Sequence, residues 1–346
     1  MKARRLARRA GQALVVAYPV ALGVVALLLH YVGEAHWATT VGLYLPAVFY
    51  LAPLLPIALL ALWVGPRSLL LAPAAAALIA LFPLMGLCWS LPSVWADEGP
   101  RLRLLSYNVD SVHAGTDAVA AGIGDADPDV LLLQESAFGR EELVERLAQR
   151  YPVVELSGQF VLASRHPVLE VTEPDRIPYG DALRSPRFMR YLLDTPLGRI
   201  ALYSVHPLSP RESLGAVRGE GLRRELATGR IFRGESREIV EANTGLRVLQ
   251  IEAIAGMVRA ETVPVIVAGD TNLPGPSPVL RRAFGHLQDG FASVGNGFGY
   301  TFPTKWPFLR LDRIYATSEL RFVSFAVGCG RASDHHCVMA DLTGSN

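Results

Sequence analysis

The fold of this chain is decided by the stretch Val265-Ile266-Val267-Ala268-Gly269-Asp270-Thr271-Asn272. Four apolar residues predict a buried strand, and the turn that follows carries Asp270 and Asn272 two positions apart. In extended backbone, a spacing of two puts both side chains on the same side of the chain. The end of a buried strand is a rigid place from which polar side chains can be aimed into a cleft. The stretch therefore predicts a cleft at the ends of strands.

Three further motifs follow the same rule. Leu133-Gln134-Glu135 closes an apolar run, Leu311-Asp312-Arg313-Ile314 lies further along the chain, and Ser333-Asp334-His335 precedes another apolar run. A glutamate at the end of a buried strand is costly unless it is paired or metal-bound. Carboxylates, an amide and a histidine gathered in one cleft would hold a hard cation and activate a water molecule. The order and spacing of the motifs predict metal-dependent phosphoester chemistry.

Four residues receive roles from their chemistry and position. Glu135 is predicted to bind the metal, and Asn108, at another strand end, is expected to supply a neutral oxygen ligand or a phosphate contact. Asp270 can orient or deprotonate a water molecule, and Asn272 can donate to a phosphoryl oxygen.

Two histidines and an arginine complete the candidate site. His206 follows a strand and is a candidate for binding a phosphate oxygen or protonating a leaving oxygen. Asp312 is the natural partner to orient His335 through its ring N–H. Arg165 could contact a phosphate through two hydrogen bonds, although a surface salt bridge explains it equally well.

The first 96 residues predict a membrane anchor. The N-terminal nine residues are basic and contain no acid, and three long windows without Asp, Glu, Lys or Arg follow. Each window exceeds the ~20 residues needed to cross a bilayer. The predicted spans cover residues 12–32, 38–64 and 69–92. A cleavable signal peptide for the first span and buried helices of a soluble protein are the less favoured alternatives.

The distribution of positive charge predicts the topology. The basic N-terminus and Arg67, which lies between the second and third spans, are expected to face the cytoplasm. The catalytic domain, residues 97–346, then lies outside the cell or in the periplasm. Cys329 and Cys337 could form a disulfide there, although two small apolar core residues are the commoner case.

After residue 100, strand and helix patterns alternate in one α/β domain. Helices are predicted near 115–125, 141–150 and 247–259, with strands near 153–163, 188–194 and 200–205 among others. The stretch 210–245 is rich in Arg, Gly and Glu, and a solvated loop leading into a helix is favoured over a nucleic-acid patch. The sequence contains no P-loop, Cys-x-x-Cys, His-Glu-x-x-His or Gly-x-Ser-x-Gly motif.

With these motifs the chain resembles the endonuclease/exonuclease/phosphatase superfamily, which has the deoxyribonuclease I-like fold. The resemblance runs from about Leu102 to Leu342 and also takes in Ser106-Tyr107-Asn108-Val109 and Ser204-Val205-His206. It implies a four-layer sandwich of two mainly antiparallel β-sheets flanked by helices. It also implies Mg²⁺ or Mn²⁺ held by Glu135, with Asn108 and Asp334 close by, and hydrolysis by an in-line water without a covalent intermediate.

The anchor and the stretch from Gly297 to Pro303 also resemble the bacterial membrane-anchored branch of this superfamily, which includes proteins linked to glycopeptide-antibiotic resistance. Many members of the superfamily have proline two residues after the Ser-Asp-His motif, whereas this chain has Cys337. No acidic partner of His206, which some members have, can be placed.

The sequence therefore predicts a membrane-anchored, extracytoplasmic phosphoesterase that depends on Mg²⁺ or Mn²⁺. Its expected partners are the lipid bilayer and a phosphate-containing substrate, for which a lipid-linked phosphate or diphosphate or a phospholipid head group is favoured. Nucleic acid is less favoured because the net charge is only +1, and no protein partner is inferred. The alternatives are an extracytoplasmic nuclease and an inactive binding or scaffold module.

Overall fold

The computed structural model describes residues 2–90, 99–136, 139–175, 187–217 and 234–345, with the stretches 178–179 and 182–183 and the single positions 223 and 227. The chain forms two compact units, Met1–Leu87 with Pro274–Val279, and Cys88–Leu273 with Leu280–Asn346. The predicted boundary at residues 96 and 97 lies outside the described residues and stays a prediction.

The first unit is helical. Its α-helices are α1 (Lys2–Tyr31), α2 (Trp37–Leu43), α3 (Leu54–Val64) and α4 (Leu71–Ile79). Short 3₁₀ helices cover Gly33–Ala35, Ala47–Tyr50 and Arg67–Leu70, and a π-helical turn covers Ala80–Leu84. Inside the unit, α1 packs against α3 through Val15, Ile57 and Ala61.

Three helical stretches are long and apolar enough to cross a membrane, which agrees with the three predicted spans. They are Lys2–Tyr31, Ala47–Val64 and Arg67–Leu84. The second begins later than predicted because Pro46 precedes it, and proline cannot donate the backbone hydrogen bond that would continue a helix from α2. The third ends earlier than predicted, since the backbone leaves the helix after Leu84 and reaches a left-handed glycine, Gly86.

The second unit is built on sixteen described strands. In chain order they are β1 (Cys88–Trp89), β2 (Arg101–Asn108), β3 (Val130–Gln134), β4 (Val153–Ser157), β5 (Phe160–Ser164), β6 (Val168–Thr172), β7 (Pro178–Tyr179), β8 (Ala182–Leu183), β9 (Phe188–Thr195), β10 (Gly198–Val205), β11 (Val265–Asp270), β12 (Gln288–Asp289), β13 (Asn296–Gly297), β14 (Asp312–Ala316), β15 (Leu320–Gly328) and β16 (Cys337–Gly344).

The rest of the described chain also contains helices. They are the 3₁₀ turns Asp110–Val112 and Gly124–Ala126, and α5 (Thr116–Ile123), α6 (Arg140–Ala148), α7 (Arg211–Ala216), α8 (Glu235–Ala260), α9 (Pro278–Phe284) and α10 (Gly290–Val294). Helix α9 begins in the short stretch assigned to the first unit and continues into the second.

Two six-stranded sheets form the second unit. The strand order is β15-β16-β2-β3-β5-β4 in one sheet and β12-β14-β11-β10-β9-β6 in the other, and two small two-stranded sheets, β1-β13 and β7-β8, accompany them. The pairs β2–β3 and β10–β11 are parallel, and the other pairs are antiparallel. The predicted fold, two mainly antiparallel sheets flanked by helices, is confirmed.

Apolar side chains on both faces of the first sheet hold these layers together. Leu104 and Leu132 of this sheet belong to the same buried cluster as Leu202 and Ile266 of the second sheet. On the other face, alternate residues such as Leu131 join a cluster with side chains of α5 and α6. Because successive strand residues point to opposite faces, a continuous apolar run such as Val130–Leu133 is the expected sequence of a strand covered on both sides.

Candidate active site

The strand topology brings the predicted residues to one edge of the two sheets. Asn108 ends β2 beside Gln134 of the parallel strand β3, so Glu135 emerges at the same edge. In the second sheet, Val205 pairs with Gly269 in parallel, and Asp270 pairs with Asp312 in antiparallel register. The carboxyl ends of β2, β3, β10 and β11 therefore meet the amino ends of β14 and β16.

Glu135 and Asn108 form one side of the cluster. The Asn108 amide Nδ2 donates to Glu135 Oε1 at 3.0 Å and to Asp270 Oδ2 at 3.3 Å. Burial opposes ionisation of Glu135, but the contacts with His206 and Asn108 outweigh it and lower its pKa to about 2. The Glu135 backbone is left-handed, with φ 54°, a conformation that is uncommon for a non-glycine residue and recurs at functional sites.

His206 lies between the two sheets. Its Nε2 is 3.0 Å from Glu135 Oε1 and 3.7 Å from Asp270 Oδ2, although neither contact aligns as a hydrogen bond. Its Nδ1 lies 2.6 Å from the amide oxygen of Gln159, to which it donates. The partner of His206 Nδ1 is therefore an amide. No sequence motif marks Gln159, which follows the turn at Gly158.

Asp270 and Asn272 form a tight turn that fixes both side chains. Asp270 Oδ1 accepts a hydrogen bond from the Asn272 backbone N–H at 2.8 Å, and Asn272 Nδ2 donates to Pro207 O at 3.0 Å. Asp270 is only 1% exposed, and its burial is the main cause that raises its pKa, despite the nearby histidines. A buried carboxylate with a raised pKa is a suitable proton acceptor.

Asp312 and His335 form the predicted pair. Asp312 Oδ2 lies 2.8 Å from His335 Nδ1, and both side chains are buried. Burial favours the neutral imidazole, but the negative charges of Asp312 and Asp270 outweigh it and raise the pKa of His335 to about 10. Its Nε2 faces Asp270 Oδ2 at 3.7 Å, and the Phe302 ring lies over it with centroids 4.8 Å apart. At neutral pH His335 is therefore an imidazolium with its free N–H at the cluster.

Asp334 lies at the exposed rim of the cluster. One carboxylate oxygen, Oδ1, is 3.9 Å from His335 Nε2, and the other contacts the guanidinium of Arg211. No motif distinguishes Arg211 from the other arginines of residues 210–245.

Arg165 is not brought to this cluster, which corrects the interpretation of it as a phosphate contact. It follows the end of β5 that pairs with Val130, the first residue of β3, whereas Glu135 follows the last residue of β3. Its guanidinium contacts Asp127 and lies 3.5 Å from Asp129 Oδ1. The alternative reading, a surface salt bridge, describes this arginine.

A disulfide closes the loop that carries the last motif. Cys329 and Cys337, with Cα atoms 5.5 Å apart, are joined across the connection between β15 and β16. The sequence left this pairing open and favoured two free thiols. The bridge involves the residue that replaces the proline of many family members, so it restrains the loop that holds Asp334 and His335.

The acidic groups provide two places where a cation could bind. Oxygen and nitrogen atoms of Asp270, Asp312 and His335 come within 4.8 Å of one another, but the raised pKa of His335 keeps its ring protonated, so that neither ring nitrogen can bind a cation. Glu135 is ionised and its side chain is 29% exposed, and the Asn108 amide turns its Nδ2 toward it while Oδ1 accepts from the Asp110 backbone N–H at 3.1 Å. The ionised carboxylate of Glu135 fits a hard divalent cation better than a protonated imidazole does.

The comparisons with known proteins agree with this architecture. A sequence model of the endonuclease/exonuclease/phosphatase family matches residues 105–335, whereas no curated protein matches the chain. Solved structures with a similar fold include an endonuclease/exonuclease/phosphatase from Beutenbergia cavernae DSM 12333, at 20% identity over 71% of this chain and 72% of that one, with a TM-score of 0.50. TDP2 from Caenorhabditis elegans is 19% identical over 82% of this chain and 84% of its own, with a TM-score of 0.52.

A truncated form of C. elegans TDP2 is 18% identical over 70% of this chain and 98% of its own, with a TM-score of 0.51. At these identities the likeness to solved structures concerns the fold alone. The family match covers more than half of the chain, and its members are metal-dependent phosphoester hydrolases. The chain belongs to the endonuclease/exonuclease/phosphatase family.

Proposed function

We propose that this protein is a membrane-anchored phosphoesterase that hydrolyses its substrate outside the cytoplasm with a water molecule that attacks in line. One observation carries the proposal: polar side chains from both sheets converge at one edge, where the protonated His335 faces the buried carboxylate of Asp270. Preorganised charges of this kind stabilise the charge that develops on a phosphoryl group.

Glu135, Asn108 and Asp334 are the residues that would hold Mg²⁺ or Mn²⁺. A bound cation would neutralise phosphate charge and make a nearby water molecule more acidic. The fit rests on the carboxylates of Glu135 and Asp334, which are the ligands that hard cations prefer, whereas the Asn108 amide would have to turn its oxygen from Asp110 N–H toward the cation. Because the low pKa of Glu135 keeps it anionic at neutral pH, it does not have to lose a proton before it binds a cation.

The remaining residues would position the water and stabilise the phosphate. Asp270 would orient the attacking water and accept its proton through Oδ2, the oxygen that Asn108, His206 and His335 surround. The N–H of His335 would donate to a phosphoryl oxygen or to the leaving oxygen, and Asp312 would keep its ring oriented and charged. His206, held by Gln159, would contact the phosphate from the other side.

The anchor and the disulfide support an extracytoplasmic location. Three apolar helices and a basic N-terminus predict an odd number of crossings, so that the catalytic domain and the N-terminus lie on opposite sides. A disulfide between Cys329 and Cys337 is typical of an oxidising compartment. An active site tethered to the outer face of a membrane favours a lipid-linked phosphate or diphosphate, or a phospholipid head group, as the substrate.

A substrate panel tests the proposal. The full chain in lipid nanodiscs would be incubated with Mg²⁺ and a lipid diphosphate, a phospholipid, a p-nitrophenyl phosphodiester and DNA, with His335→Ala as the matched inactive control. We expect hydrolysis of at least one lipid substrate that chelator abolishes. Preference for DNA, with activity that falls steeply as salt rises, would favour the nuclease alternative. No hydrolysis of any substrate by a folded protein would favour the inactive binding module.

A further inference from the structure

Arg211 lies at the rim of the cluster, and its positive charge has no role in the function proposed above. It is the first residue of α7, and its guanidinium Nη2 contacts Asp334 Oδ2. Glu135 and Asp110 also attract it electrostatically. The side chain is 63% exposed, so the guanidinium can leave Asp334 without disrupting packed neighbours.

Buried polar side chains of α8 fix the backbone that leads to Arg211. Gln250 Oε1 accepts from Leu208 N at 2.7 Å, Arg247 Nε donates to Leu208 O at 2.7 Å, and Asn243 Nδ2 donates to Ser209 O at 3.1 Å. The three α8 side chains are between 0% and 8% exposed and recur on one face of the helix. Burying polar groups is costly unless their hydrogen bonds are made. This segment is therefore held firmly, and it ties the position of Arg211 to that of His206.

Stability does not account for this arrangement. An exposed ion pair such as Arg211–Asp334 contributes about 0–1 kcal/mol, and removing it would change the fold little. A guanidinium is, however, the group that matches two phosphate oxygens at once. Its partner Asp334 is also one of the residues proposed above to bind the cation. The Asp334 carboxylate would therefore bind either the Arg211 guanidinium or the divalent cation.

We propose that Arg211 binds the non-bridging oxygens of the substrate phosphate, and that it competes with the divalent cation for Asp334 until substrate draws it away. The inference rests on the proposed function, because it assigns a phosphate to the cluster and a cation to Asp334. Loss of Arg211 should therefore change the affinities for the cation and for phosphate in opposite directions. Removing the guanidinium should tighten cation binding, because a competitor is lost, and should weaken phosphate binding, because a ligand is lost.

The test uses the full chain in detergent micelles and two binding readouts. Mn²⁺ affinity would be measured by electron paramagnetic resonance and inorganic phosphate affinity by calorimetry, for wild type, Arg211→Gln and Arg211→Lys. Arg211→Gln is expected to bind Mn²⁺ about threefold to tenfold more tightly and phosphate at least tenfold more weakly. Arg211→Lys, which keeps the charge but not the paired N–H groups, should lie between. The matched control is Arg237→Gln, which breaks an exposed ion pair with Glu241 on α8, 2.8 Å long, and should change neither affinity.

Kinetics then separate the inference from the proposed function. With a p-nitrophenyl phosphodiester, Arg211→Gln should raise KM more than it lowers kcat. Unchanged affinities for Mn²⁺ and phosphate would overturn the inference, as would weaker Mn²⁺ binding, which would mean that Arg211 orients Asp334 for the cation. If no phosphoester is hydrolysed by the wild type, the proposed function fails, while the two binding measurements still decide the role of Arg211.

Discussion

The charge on His335 depends on one carboxylate, and Asp312→Asn tests that dependence. The substitution keeps the shape of the side chain and removes its charge, so the pKa of His335 should fall from about 10 to 6.5 or below. At pH 8 the protonated fraction would then fall from about 0.99 to about 0.03, and at pH 5.5 about 0.9 would remain. Turnover relative to wild type should therefore fall roughly 30-fold at pH 8 and largely recover at pH 5.5.

The assay compares the two proteins at each pH between 5.5 and 9, with saturating Mg²⁺ and a p-nitrophenyl phosphodiester. Taking the ratio of variant to wild type removes the titration of shared groups that lie away from Asp312, but not that of Asp270, whose pKa the charge of Asp312 helps to raise. Imidazole ¹⁵N NMR of the metal-free proteins gives the protonation of His335 directly. A ratio that stays constant over this range, or a wild-type His335 that titrates near 6.5, would refute the reasoning.

The contribution of His335 to the free energy of unfolding should also decrease as pH rises. Because the pKa of His335 is higher in the folded chain than its value of 6.5 in the unfolded one, its contribution to stability is complete below pH 6.5 and is lost as pH rises through 10. The shift corresponds to at most about 5 kcal/mol, at about 1.36 kcal/mol per unit.

On turnover, Asp312→Asn and His335→Ala should be non-additive, since the two residues act as one unit. Strictly additive losses would return Asp312 to a scaffolding role.

Three further outcomes are expected. Glu135→Gln should raise the Mg²⁺ or Mn²⁺ concentration needed for half-maximal activity sharply, since an anionic ligand is lost, and an unchanged metal titration would contradict the assignment. Replacing both Cys329 and Cys337 with serine should lower the free energy of unfolding by about 2–3 kcal/mol, measured by denaturant titration, because the closed loop is short; unchanged stability would mean that the bridge constrains nothing in the unfolded chain. A reporter enzyme active only outside the cytoplasm, fused after the C-terminal residue, should be active, whereas a well-expressed inactive fusion would refute the proposed orientation.

The sequence was most informative where local pattern and chemistry coincide. Apolar runs that end in Glu135, His206 and Asp270 identified strand ends, and strand ends of parallel neighbours meet at one edge by geometry. The Asp312–His335 contact followed from the same reasoning, and the two side chains lie 2.8 Å apart. These residues could be grouped without knowledge of the full topology.

Features that depend on register or on distant segments were not predictable. Arg165 is of a residue type that suits a phosphate contact, but the antiparallel pairing of β5 with β3 places it at the opposite edge. Gln159 and Arg211 reach the cluster from a hairpin turn and a helix start, which carry no motif. The predicted strand at 153–163 proved to be two strands because Gly158, with φ 57°, turns the chain between them.

Helix limits were also set by tertiary contacts. The helix predicted at 247–259 extends back to Glu235, because the side chains of Asn243 and Arg247 bind the segment at Leu208–Ser209. Periodicity of apolar residues detects only the part of a helix that packs against an apolar surface. A helix face that is buried by polar contacts gives no such signal.

The cluster is built from residues of both sheets, so the packing of apolar side chains between the sheets sets the distances between the site residues. Several contacts cross from one sheet to the other, among them Asn108 to Asp270 and Asp312 to His335. A change in the angle between the sheets would alter both at once. Substitutions of Leu132 or Ile266 deep in the interior should therefore be under selection for turnover as well as for folding.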